Sequence, residues 1–281
     1  MRKIALTFCL TIFLTSFAQD RPKVGLVLGG GGAKGAAEIG VLKYIEEAGI
    51  HIDYIVGTSI GSIIGGLYSV GYRSQQLDSL FVNTDWENIF SESIAGTQQI
   101  SNVFSDLLNL PDSVDFDSLP IPYRCVATDI INTEEVILQR GNLARAMRAS
   151  MSIPGAFKPV KWEGKLLVDG GMLNNLPVDI AKKMGADIII AIDLAQRKHE
   201  NRDFSLKEEY GIGGVLDWLI SRPDWKKHNE NRQLADIYIN PNLKDYDAAS
   251  FSRDDIRQMI LIGEEAGKKA LKELRKLATS H

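Results

Sequence analysis

The chain has 281 residues, 44% hydrophobic, 24% charged and 8% aromatic, with 25 Gly, 9 Pro and 2 Cys. That composition supplies a sizeable core and excludes disordered, collagenous and disulfide-scaffold classes. Lys and Arg total 32 against 36 Asp and Glu, a net charge of −4, so no overall positive field attracts nucleic acid or anionic lipid, and any membrane contact has to be local and largely apolar.

Arg2 and Lys3 open the chain, Ile4 to Phe17 is apolar apart from hydroxyls, and Ser16-Phe17-Ala18 puts small residues where a signal peptidase reads. The run falls short of the ~20 apolar residues that span a bilayer. The expectation is a cleaved signal peptide over residues 1–18 and a single domain over 19–281, exported to the periplasm, the outer membrane or the exterior. Cys9 follows bulky Phe8 in mid-stretch, whereas a lipidation cysteine follows a small residue at the cleavage point. Cleavage leaves Cys125 alone, so an intrachain disulfide cannot form in the oxidising compartment that export implies.

Val24 to Leu28 is a short apolar run ending in Gly29 to Gly32, and Ala36, Ile39, Val41, Leu42 and Ile45 then repeat at helical spacing up to Gly49. Strand, glycine loop and helix follow from that pattern. The unit recurs at Ile55-Val56, Gly57-Thr58-Ser59-Ile60-Gly61 and a helical stretch toward Gly71. Later apolar runs at 123–127, 188–192 and 237–239 are separated by helical stretches near 142–150, 178–184 and 224–234. Strands alternating with helices predict a three-layer α/β/α sandwich around a mainly parallel sheet. Val136–Leu138 and Lys165–Val168 read as shorter strands of antiparallel character. Ser252–Leu277 reads as a final helix with Ile256, Ile260, Gly263, Ala270 and Leu274 near one face and a charged outer face.

Two glycine turns and one Asp turn are candidates for chemistry. Gly30-Gly31-Gly32-Ala33-Lys34-Gly35 satisfies GxGxxG after a strand, but a dinucleotide site needs an acid at the end of the second strand, and Asp53 precedes that strand. Two readings stand: tight packing alone, or a cradle of backbone N–H groups beside Lys34 that stabilises a phosphate or an oxyanion. Gly57-Thr58-Ser59-Ile60-Gly61 is a GxSxG pentapeptide between strand and helix, where the central Ser59 projects as a nucleophile. An N-cap serine is the plainer alternative. A serine nucleophile needs a base, and none of the four histidines lies at a strand end; His199 and His228, set among charged residues, read as solvated surface groups. Asp169, on the turn Asp169-Gly170-Gly171 after an apolar strand, has the strand-end placement of Ser59, although an ordinary Asp-Gly turn reads the same way.

Together these blocks resemble the patatin-like phospholipases. The Gly30–Gly35 block looks like that family's oxyanion loop, with Lys34 where members carry Arg or Lys. Gly57 to Gly61 is similar to its nucleophile elbow and Asp169-Gly170-Gly171 to its catalytic turn, while Ala149-Ser150-Met151-Ser152-Ile153-Pro154, with Phe157 and Pro159, looks like a further family block. The four blocks occur in family order within about residues 22–240. The resemblance implies a Ser59–Asp169 dyad, an oxyanion hole from Gly30, Gly31, Gly32 and Lys34, and calcium-independent hydrolysis of phospholipid or other lipid acyl esters with no cofactor and no metal. From the net charge the chain is expected to have no nucleic-acid partner, and peripheral membrane contact would be through local apolar stretches.

Two apolar stretches are candidates for a lipid pocket, a membrane contact or plain core: Phe81, Trp86, Phe90, Val103, Phe104, Leu107 and Leu108, and Ile212, Val215, Leu216, Leu219 and Ile220 with Trp218 and Trp225. The first is expected to border the mouth of the site. Two other functions compete with hydrolysis. A nucleotide-binding oxidoreductase explains neither Ser59 nor Asp169, and a non-catalytic lipid-binding protein predicts no reaction with a serine-directed fluorophosphonate.

Overall fold

The computed structural model describes residues 21–89, 98–196 and 225–279. Strand β1 (Val24–Leu28) runs into a 3-10 turn over Gly32–Gly35 and then helix α1 (Ala36–Glu47). Strand β2 (Tyr54–Thr58) leads through Ser59 into α2 (Ile60–Ser69), followed by α3 (Ser74–Asn83) and α4 (Gln98–Leu108). A short β3 (Val114–Asp115) precedes β4 (Tyr123–Asp129), β5 (Glu134–Leu138), β6 (Arg140–Gly141) and α5 (Leu143–Ser150). The remainder is β7 (Val160–Trp162), β8 (Lys165–Asp169), α6 (Val178–Lys183), β9 (Ile188–Ile192), α7 (Trp225–Leu234), β10 (Ile237–Ile239) and α8 (Arg253–Thr279). The elements expected from hydrophobic periodicity fall within a few residues of these bounds. Helix α5 starts where its cap dictates: Asn142 Oδ1 accepts the Arg145 N–H at 2.8 Å.

Among the described residues, β10, β9, β1, β2 and β4 are parallel neighbours in that order, and β5, β8 and β7 extend the same sheet antiparallel. Strand residues alternate between two faces. Leu26, Leu28, Ile55, Ile190 and Ile192 join the core with α1, α2 and α8, whereas Val27, Val56, Val126, Ile189 and Ala191 pack on α6. Burial on both faces is why the central strands are continuous apolar runs. Helices α1 and α8 cross with their backbones nearly touching: a Cβ at Gly40 would meet Ile260 O at 2.1 Å, and one at Gly263 would meet Ala37 O at 1.9 Å.

Strand β4 sets the geometry that matters for the site. Parallel β2 lies along Tyr123–Val126, antiparallel β8 along Ala127–Asp129, and β5 along Cys125–Asp129. A strand has two edges, and Cys125 and Val126 already have β2 on one and β5 on the other. Strand β8 therefore continues the β2 edge, and the two strands run toward each other. Thr58 stands opposite Val126 and Asp169 opposite Ala127, so Ser59 and Asp169, 110 positions apart in sequence, meet end to end.

Of the first apolar stretch, Phe81, Trp86, Phe104 and Leu108 are buried in the main core, with Val103 and Leu107 packed against it. Their burial answers the plain-core reading of that stretch, while Phe90 falls outside the described residues. So do the leader and, from the second stretch, Ile212, Val215, Leu216, Trp218, Leu219 and Ile220. Among the described residues no helix is long and apolar enough to cross a membrane.

Candidate active site

Ser59 joins β2 to α2 at φ 54°, ψ −123°, a combination that costs a non-glycine residue about 1–3 kcal/mol and persists only where the surroundings impose it. The surroundings here are backbone. A Cβ at Gly57 would meet Gly61 O at 2.4 Å, and one at Gly61 would meet Leu28 O at 2.4 Å, so the elbow closes only with glycine at both positions. Three hydrogen bonds hold it: Ser59 N–H donates to Ser150 Oγ at 2.9 Å, while Ser59 O accepts from Ser62 N–H at 2.9 Å and from Ser62 Oγ at 2.6 Å.

From this turn Ser59 Oγ donates to Asp169 Oδ2 at 2.7 Å, and both residues are buried. The other carboxylate oxygen, Oδ1, accepts the Gly171 N–H at 2.7 Å. Burial pushes the Asp169 carboxyl up to about 6, opposed by the hydrogen bonds from Ser59 and Gly171, which favour the ionised form. A carboxylate with its affinity for protons raised this way is a stronger base than one in water, and it is already bonded to the hydroxyl.

The glycine loop lies against this pair, since a Cβ at Gly30 would stand 3.2 Å from Ser59 Cβ. Its amides are unequally free. Gly30 N–H donates to Asn175 O at 3.1 Å and Ala33 N–H to Ala248 O at 2.9 Å, whereas the Gly31 and Gly32 amides have no partner among the described residues. Of the three glycine amides expected as oxyanion donors, that of Gly30 is already engaged by Asn175 O. Lys34 is buried within the 3-10 turn, its amide on Gly31 O at 3.3 Å.

Two supporting features carried no assigned role in the sequence. The end of α5 and the turn after it hold both halves of the pair: Ser150 Oγ accepts from Ser59 N–H and donates to Val126 O at 2.6 Å, and Ser152 O accepts the Asp169 N–H at 3.0 Å. Asn175 ties the Asp turn to the glycine loop, with Nδ2 donating to Gly30 O at 3.0 Å. The Ala149–Pro154 block signalled the first; the Asn174-Asn175 pair after the turn is a local signal for the second.

The histidines divide differently from expectation. His51 is exposed near Asp53, and His199 and His281 fall outside the described residues. His228 was expected on the solvated surface, but the structure buries it: Nε2–H donates to Asp193 Oδ2 at 2.8 Å, and Trp225 packs edge-on against its ring. Asp193 follows β9, two strands from β2, and also accepts from Tyr238 Oη at 2.6 Å. This His–Asp pair and the Ser59–Asp169 pair share no hydrogen bond. Cys125 is buried and free, and burial pushes its thiol up to about 12. Among the described residues no group of three or more His, Cys, Asp and Glu could hold a metal ion.

The chain is 36% identical over 217 residues to human patatin-like phospholipase domain-containing protein 6 and 35% identical over 216 residues to rat patatin-like phospholipase domain-containing protein 7; each match takes in 73% of this chain and 15% of the relative. It is also 36% identical over 181 residues to an uncharacterised NTE family protein of Mycobacterium tuberculosis, covering 63% of this chain and half of that one. This chain thus spans 15% of the length of the first two relatives and half of the third. Among solved structures, VipD from Legionella pneumophila aligns over 90% of this chain and 67% of its own, with a TM-score of 0.53 at 15% identity. ExoU of Pseudomonas aeruginosa, in complex with SpcU, aligns over 92% and 53% with a TM-score of 0.52 at 14% identity. Both likenesses are of fold. The model of the patatin-like phospholipase family matches residues 26–182, which include both glycine turns, Ser59 and Asp169, and this chain belongs to that family.

Proposed function

We propose that this protein is a serine lipid acyl hydrolase acting through a Ser59–Asp169 dyad. The observation that carries the reading is the 2.7 Å hydrogen bond between Ser59 Oγ, on a strained elbow, and a buried Asp169 carboxylate facing it from an opposing strand. Family membership supports a lipid ester as substrate. In acylation the Asp169 carboxylate takes the Ser59 proton as Oγ attacks the ester carbonyl, and the carbonyl oxygen becomes an oxyanion. The Gly31 and Gly32 amides are the donors for that oxyanion, each contributing about 3–4 kcal/mol where it is aimed at the developing charge. Collapse expels the alcohol, which takes the proton back from Asp169, and leaves an acyl group on Oγ. Asp169 then deprotonates a water, which hydrolyses the acyl-enzyme and restores the Ser59 hydroxyl.

Hydrolysis of a short-chain ester and of phospholipid vesicles is the direct test. Ser59→Ala and Asp169→Asn each lower kcat by about three orders of magnitude or more in folded protein, as removal of a nucleophile or its base does, while added chelator has no effect. Activity retained in Asp169→Asn contradicts the dyad.

A further inference from the structure

A second feature lies at α5, in a cavity whose lining does not include Ser59. Arg148 is buried, at 3% exposure, and no carboxylate pairs with it among the described residues. Nη1 donates to Ser152 Oγ and Nη2 to Lys158 O at 3.1 Å, while the Phe157 ring centroid lies 5.2 Å from the guanidinium carbon. Two of its five N–H donors are used in this way, and the fully enclosed Nε has no partner. An ion buried without a counter-charge is costly, and the cost is relieved when an anion arrives. Burial lowers the Arg148 guanidinium to about 10, which leaves it charged at neutral pH.

Arg148 lines a cavity of about 530 Å³ together with Arg145, Lys158, Lys161 and Asn142. Among the described residues Asp112 is the only acid on its wall, so four cations face one carboxylate. Among the described residues neither lysine is engaged by a carboxylate, and Arg145 bonds Lys161 O and lies over the Trp162 ring. In a chain of net charge −4, this concentration of positive charge is local. Fixed guanidinium donors beside flexible ammonium groups are what a tetrahedral dianion or a phosphodiester requires.

We propose that this cavity binds a phosphate group, either free or carried on a lipid headgroup, with Arg148 at its floor and Lys158 and Lys161 at its rim. The volume admits the phosphate with a glycerol-sized substituent attached. Ser152 links the cavity to the catalytic pair, because its Oγ receives the Arg148 donor and its carbonyl holds the Asp169 amide. The proposal stands apart from the assignment of the nucleophile, and it is tested in a background where that assignment has no influence.

Full-length Ser59→Ala protein is titrated with inorganic phosphate by calorimetry at constant ionic strength, with chloride as control. In parallel it is sedimented with vesicles of phosphatidylglycerol and, as control, of an uncharged glycolipid. Lys158 and Lys161 are exposed, so Lys158→Ala/Lys161→Ala keeps the fold while removing two charge-assisted contacts, and the expected loss of affinity is about tenfold or more. A loss confined to phosphate identifies free phosphate as the ligand, and a loss that extends to phosphatidylglycerol vesicles identifies the headgroup. Phosphate and vesicle binding that are both absent, or both the same in the lysine variant as in its parent, overturns the proposal.

Discussion

As the proposed base, Asp169 illustrates how a residue kept for chemistry costs stability. Its folded-state carboxyl is raised from 3.8 to about 6. A raised group stabilises the fold when protonated, and that contribution is lost as pH rises through the folded value. Near pH 8 the protein therefore bears the cost of a buried carboxylate, on the order of 3 kcal/mol for a shift of about two units. Asp169→Asn keeps the shape and removes the charge, so its stability in urea exceeds that of the wild type by on the order of 1–3 kcal/mol near pH 8, with the gain shrinking toward pH 4.5. Activity has the opposite dependence, since the base works only when ionised: kcat/KM rises with pH through about 6 and then levels. A profile flat between pH 5 and 8, or an Asn variant less stable than wild type near pH 8, contradicts this account of Asp169. Ser150 stood in a recognised block without a role, because its bonds reach Ser59 and Val126, 91 and 24 positions away in sequence.

At the scale of elements, the strands and glycine turns were legible because their signals are local. Apolar runs bounded by glycine define strands, and the order of turns places Ser59 and Asp169 at strand ends. That β2 and β8 meet head to head along one edge of β4 was not legible, because register is a matter of pairing between distant segments. Helix α7 was expected over 224–234, but its buried face was not. That face is made of His228 and Asn231, which bond to Asp193, Asn174 and Asp179, so hydrophobic periodicity gave no sign that His228 is enclosed. The α1–α8 crossing gives the sharpest test at this scale. Gly263→Ala raises intrinsic helix propensity by about 1 kcal/mol, yet its methyl would lie 1.9 Å from Ala37 O. Overpacking costs about 1–3 kcal/mol or more and wins, so the variant melts several degrees lower. An unchanged or raised Tm contradicts the packing.

For the whole molecule, the composition offered no general attraction for anionic surfaces, and the structure refines that by concentrating cations around one cavity whose lining excludes the proposed dyad. The two regions share the segment Arg148–Ser152, which contacts Ser59, Asp169 and the basic cavity in five residues. The central claim is that Ser59 is the nucleophile and Asp169 its base. Reaction of the wild-type protein with a serine-directed fluorophosphonate, followed by mass-spectrometric mapping of the adduct, tests it most directly. The account predicts one phosphonylated residue, Ser59, and labelling at least about a hundredfold slower in Asp169→Asn, as loss of a general base entails. Labelling at another residue, or at an undiminished rate in Asp169→Asn, would contradict it.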